Sequence, residues 1–98
     1  MSSTTHFITE LVRAANELEK LSAYEKRRLL ERAVITIREM RETVGIPSRN
    51  TSADAVTYIQ ETEVLLVRGW ATDERVKASL LDAADMIRTL HIILDSGR

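Results

Sequence analysis

The chain has 98 residues, a formal net charge of −1, 44% hydrophobic and 30% charged residues, and no cysteine. That length fits a single domain, 1–98, near the lower limit for a core that holds without staples, and the apolar share argues against a disordered chain. The charge balance removes any global electrostatic case for nucleic acid or an anionic membrane. Disulfides and thiolate metal sites are excluded outright.

Only Phe7, Tyr24, Tyr58 and Trp70 are aromatic, so leucine, isoleucine, valine and alanine must build the core. The opening residues Met1-Ser2-Ser3-Thr4-Thr5-His6 lack the basic segment and apolar stretch of a signal peptide. No apolar run approaches the roughly 20 residues that span a bilayer. The expectation is a cytoplasmic protein. The sequon Asn50-Thr51-Ser52 is then incidental.

Apolar residues first recur at Phe7, Leu11, Ala14, Leu18 and Leu21, one face of an amphipathic helix over 5–20. Ser22-Ala23-Tyr24-Glu25 reads as a capping box, which starts a second helix over 23–44. Its stripe is Leu30, Ala33, Ile37, Met40 and Val44, widened by Leu29, Val34 and Ile35. Gly45 and Pro47 end it, the glycine in the left-handed position beyond the helix and the proline blocking continuation.

The only real loop follows, from Ile46 to Thr51. Thr51-Ser52-Ala53-Asp54 fits the capping pattern again and starts a third helix over 52–69. On a helical wheel Asp54, Thr57, Glu61 and Arg68 share one narrow polar sector. The remaining arc, roughly 260° at a step of 100° per residue, is mostly apolar. Val56, Ile59, Leu66, Val67 and Trp70 fall on one side of it, with Tyr58 and Leu65 on another. Glu63 is the one charge within the arc, suited either to a rim or to a basic residue on a neighbouring helix.

Gly69 closes the third helix, and Trp70 folds back as the apolar residue after the cap. A continuous helix through Thr72 is the open alternative. Thr72 is a candidate N-cap, and Asp73 and Glu74 suit the positive end of a fourth helix over 73–95. Its stripe is Val76, Leu80, Ala83, Ile87, Leu90 and Leu94. Nowhere is there a sustained period of two. The fold expected is all-α, a four-helix bundle of the up-down type.

Chemistry finds little support. His6 and His91 stand alone, with no helical His-x-x-x-His or Glu-x-x-His pair, so no metal site is expected. His91 sits in a chain of the length of a histidine phosphotransfer domain. Its flanks, Ile92-Ile93-Leu94, supply neither the cation nor the open approach that a phosphorylated imidazole needs. Carboxylates pair with cations along helix surfaces, as in Arg27/Glu31 and Arg38/Glu42. Gly45, Gly69 and Gly97 all read as helix terminators, which leaves no glycine-rich phosphate cradle. No catalytic residue and no cofactor is expected. The second helix carries Lys26, Arg27, Arg28, Arg32, Arg38 and Arg41, but Glu25, Glu31, Glu39 and Glu42 interrupt them. A solvated face accounts for that pattern better than nucleic acid does. A DNA-binding regulator using helix 23–44 stays as the alternative.

What remains is apolar surplus. Val64-Leu65-Leu66-Val67 points nearly all the way round its helix, and Leu81, Ala84, Met86, Ile92 and Ile93 lie off the main stripe of the fourth. Such a surplus exceeds what one small bundle hides, so a homodimer and a complex with another protein are both expected. Tyr58, Leu65, Leu66, Trp70, Ile92 and Ile93 are the candidate protein-binding residues. A secretion-chaperone or antitoxin-like role belongs to the same class.

The helix Tyr24-Glu25-Lys26-Arg27-Arg28-Leu29-Leu30 through Glu42, the Gly45-Ile46-Pro47 break and the helix through Trp70 together give the chain a likeness to a known group. It resembles the small all-helical bacterial anti-activators that sequester LuxR-type quorum-sensing transcription regulators. The resemblance is one of type over most of the chain. It implies inhibition by occupying a regulator's dimerisation or DNA-binding surface, without catalysis, and it transfers no individual residue.

Overall fold

Local capping signals divide the chain into the helices that the apolar spacing demands. In the computed structural model, which describes residues 3–45 and 55–96, α1 spans Ser3–Asn16, α2 Ala23–Val44, α3 Ala55–Arg68 and α4 Asp73–Ser96. The loop 46–51 with Pro47, the Ser52 cap, Asp54, the sequon and the chain end at Gly97 and Arg98 lie outside the described residues.

The first helix is shorter than the spacing predicts. It stops at Asn16, and a 3-10 turn over Leu18–Lys20 follows. Glu17 leaves helical geometry at φ −132, ψ 41, and the Asn16 side-chain amide donates to the Val12 carbonyl at 3.1 Å. An amide side chain that bonds its own turn competes with continued helix. The tighter turn keeps Leu18 in the core while redirecting the chain toward Ser22.

Both ends of α2, the end of α3 and the start of α4 follow their expected caps, while α1 begins at Ser3, two residues before the expected start. The Ser22 hydroxyl accepts from the Glu25 N–H at 3.1 Å, and the Ser22 N–H donates to the Glu25 carboxylate at 2.9 Å. Gly45 adopts φ 89, and its N–H donates to the Arg41 carbonyl at 2.8 Å. At the end of α3, Gly69 adopts φ 76. Its N–H donates to the Leu66 carbonyl at 3.1 Å, and the Trp70 N–H donates to the Leu65 carbonyl at 2.8 Å. Those paired bonds are a Schellman termination, so α3 and α4 are separate helices. Thr72 then caps α4, its hydroxyl accepting from the Arg75 N–H at 3.1 Å.

Side-chain pairings fix the directions. Lys26 meets Asp73 at 3.7 Å, so α2 and α4 begin at the same end and run parallel. Thr62 meets Ser79 across an antiparallel α3–α4 pair. Arg32 of α2 lies over the Phe7 ring of α1 at 4.5 Å and pairs with Glu10 at 3.2 Å. The order is therefore up-down-up-down, with one departure from a square bundle. α4 packs against α1, α2 and α3, while α2 packs against α3 and α4. The parallel pair α2–α4 is central and the other two helices flank it. The Cα extents of 43 × 32 × 16 Å reflect that flattened arrangement.

The core is built from the stripe residues: Leu11, Leu30, Ile37, Ile59, Leu80 and Ile87 are each inaccessible to solvent. Part of the expected surplus joins it. Leu29, Val34 and Ala84 are buried, because the flattened packing presents α2 and α4 to neighbours on more than one side.

Candidate protein-binding surface

A second group of apolar side chains stays largely exposed among the described residues. Ile35 is 57% exposed, Val64 54%, Val67 70%, Trp70 68%, Ile92 56% and Ile93 40%. They fall in different places, and the fold separates residues that the sequence had grouped.

Trp70 and Val67 stand at the α3–α4 turn. The Lys26–Asp73 pair brings the start of α2 to this end as well, along with Tyr24, which is also exposed. Trp70 does not fold into the bundle although its backbone caps α3. Its ring lies outside with the Arg68 guanidinium 5.3 Å from the ring centroid. The wheel that set Trp70 beside Ile59 and Leu66 assumes helical geometry, and left-handed Gly69 breaks it one residue earlier.

Ile92 and Ile93 lie at the opposite end. From Asp73 to Ile92 is 19 residues of α4, about 28 Å at 1.5 Å per residue. The six candidate residues therefore do not form one surface. Ile93 borders a shallow cleft with Arg41, Met86 and Leu90. Leu66 is half-buried and packs on the core. Leu65 is half-buried beside the turn, its carbonyl held by Trp70.

Tyr58 belongs to the α3–α4 junction. Its ring lies under the Arg75 guanidinium at 3.9 Å, and its carbonyl accepts from Arg75 Nη2 at 3.2 Å and from the Thr62 hydroxyl at 3.0 Å. Arg75 Nε donates to Thr62 Oγ1 at 2.8 Å, and Nη2 also reaches Glu61 at 3.3 Å. Thr62 and Ser79 are fully buried. No spacing rule marks this polar cluster, because its members come from two helices whose register is set only by folding.

Glu63 sits half-buried where α3 meets α2. Burial pushes its carboxyl above the ordinary value and the nearby Glu31 adds to the rise, while Arg27 and Arg38 oppose it. Of the two settings the sequence left open, Glu63 takes the rim, where Arg27 and Arg38 act on its charge without outweighing burial.

The basic residues of α2 are largely matched by acids of the same chain. Lys26 pairs with Asp73 at 3.7 Å, Arg27 and Arg28 with Glu31 at 3.0 and 3.3 Å, and Arg32 with Glu10 at 3.2 Å. What α2 shows to solvent is alternating charge around the exposed Ile35. His91 Nε2 faces Asp95 at 3.4 Å on its own helix. Among the described residues no cluster of histidine and carboxylates is placed to hold a metal. None of their helices is long and apolar enough to cross a membrane. Comparisons with models of protein families, with curated proteins and with solved structures find nothing that matches this chain.

Proposed function

We propose that this chain is a regulatory binding protein without catalytic activity, which self-associates and captures a transcription regulator as an anti-activator. Capture is assigned to the α3–α4 turn, with Trp70 and Val67 as anchors and Leu65 behind them. The observation that carries this reading is the exposure of Val67 and Trp70 beside a completed core. A tryptophan left outside, at a point where the backbone is fixed by two hydrogen bonds, costs little ordering when a partner covers it. Tryptophan and arginine are also the residue types that most often dominate binding energy, and Arg68 already stacks on Trp70.

The regulator class follows the resemblance of the whole chain to anti-activators. The test is a purified LuxR-type regulator bound to its operator DNA, titrated with this protein. Release of the DNA, weakened about tenfold or more by Trp70→Ala or Val67→Asp, is the expected result. An operator complex unaffected by excess folded protein would overturn the anti-activator reading.

A further inference from the structure

We infer that the outward face of α2, centred on Ile35, is the surface through which two copies of this chain pack, antiparallel about a twofold axis. The inference rests on the self-association part of the proposed function and assigns it a place and a geometry.

Ile35 lies on the face of α2 opposite the core, at the edge of a groove that it shares with Gln60 and Glu63 of α3. Stepping 100° per residue, it lies about 160° from both Ala33 and Ile37, which are fully buried. Charged residues surround it in an ordered way. Toward α3 stand Glu31, four positions earlier, and Arg38, three positions later. Toward α1 stand Arg32, three earlier, and Glu39, four later. All four lie within about 60° of Ile35 around the helix.

A twofold axis through Ile35 and perpendicular to α2 brings each flank against itself with its direction reversed. Glu31 then comes level with the second copy's Arg38, and Arg32 with the second copy's Glu39. Each pairing is offset by one residue, about 1.5 Å. Symmetry repeats both, so each of these charges meets its opposite around a central Ile35–Ile35 contact, Glu31 and Arg32 in addition to their partners within the chain. An isologous contact requires self-complementarity of this kind.

A parallel arrangement would satisfy those four charges too, by pairing across the flanks. Arg28 and Glu42 decide between the two. They lie seven positions before and after Ile35, each about 20° from its centre line. Parallel packing stacks Arg28 on Arg28 and Glu42 on Glu42. Antiparallel packing sets Arg28 against the second copy's Glu42, and it also opposes the helix dipoles favourably. This geometry leaves Val67 and Trp70, at the end of the bundle, free for a different protein.

Sedimentation equilibrium of the intact protein and three variants tests the assignment, with circular dichroism reporting the fold of each. Ile35→Glu and Glu42→Arg are each expected to raise the dimer dissociation constant about tenfold or more. Arg28→Glu combined with Glu42→Arg is expected to restore it to within about threefold, because only antiparallel packing re-pairs the swapped charges. The unaltered dimer is expected to weaken as salt rises. A folded double variant that stays as weak as Glu42→Arg overturns the antiparallel geometry. A dimer indifferent to Ile35→Glu overturns the α2 assignment and leaves self-association standing. A chain that is monomeric at every concentration overturns both.

Discussion

The hydroxyl oxygens of Thr62 and Ser79 lie 2.6 Å apart between α3 and α4, with neither residue exposed. Thr62 has one proton, and the Tyr58 carbonyl takes it at 3.0 Å. Ser79 is therefore the donor in the pair, and Thr62 accepts both from it and from Arg75 Nε. The two positions should differ in cost. Thr62→Val keeps the shape but strips the buried Ser79 hydroxyl and the half-buried Arg75 Nε of their acceptor, and should cost about 1–3 kcal/mol. Ser79→Ala leaves Thr62 with its other partners and should cost about 1 kcal/mol or less. Urea unfolding of both variants and the double variant measures this, and the double should cost less than the sum.

Gly69 tests the separation of α3 from α4. A Cβ there meets nothing within 4 Å, so the penalty of Gly69→Ala comes only from its φ of +76. Left-handed backbone costs an L-residue about 1–2 kcal/mol. The expected loss of stability lies in that range, with Gly69→Asn smaller because asparagine tolerates the conformation. Thermal unfolding reads the difference.

The Ser22–Glu25 box holds the start of α2 with two hydrogen bonds. Ser22→Ala should cost about 1 kcal/mol, and Ser22→Asp should retain most of the stability because aspartate caps as well as serine does. Amide exchange should quicken in the first turn of α2 in the alanine variant alone.

Glu63 should make stability depend on pH. Its carboxyl holds its proton to higher pH in the folded chain than its ordinary value of 4.5, chiefly through burial and then through Glu31. Between that value and the raised one, the folded state binds more protons than the unfolded state, so stability falls as pH rises through the window. Glu63→Gln removes the effect. Relative to the unaltered chain it should gain nothing below pH 4.5, gain stability upward through the window, and keep a constant advantage above it. Denaturant midpoints at acid and neutral pH check the sign.

The elements were readable because helix period and capping are local. Leu30, Ala33 and Ile37 recur at helical spacing and reach zero exposure, and Ser22, Gly45, Gly69 and Thr72 terminate helices with the bonds their types favour. The end of α1 was harder to read, since Leu18 keeps the apolar period while the backbone has already tightened. Grouping Trp70 with Ile92 and Ile93 required knowing which ends of α3 and α4 meet. Residue type carried no trace of that distance. The Arg75–Thr62–Ser79 cluster was hidden for a similar reason: arginine, threonine and serine are ordinary surface residues until two helices bring them together.

In the proposed role, the α3–α4 turn offers its apolar side chains to another protein. Trp70 is the one tryptophan of the chain, so its fluorescence reports on that turn alone. Acrylamide quenching of the purified protein, from dilute solution to concentrations at which it self-associates, tests that role. A red-shifted, readily quenched emission is expected throughout, turning blue and protected only when the regulator is added. A tryptophan already blue-shifted and shielded in the protein alone would contradict it.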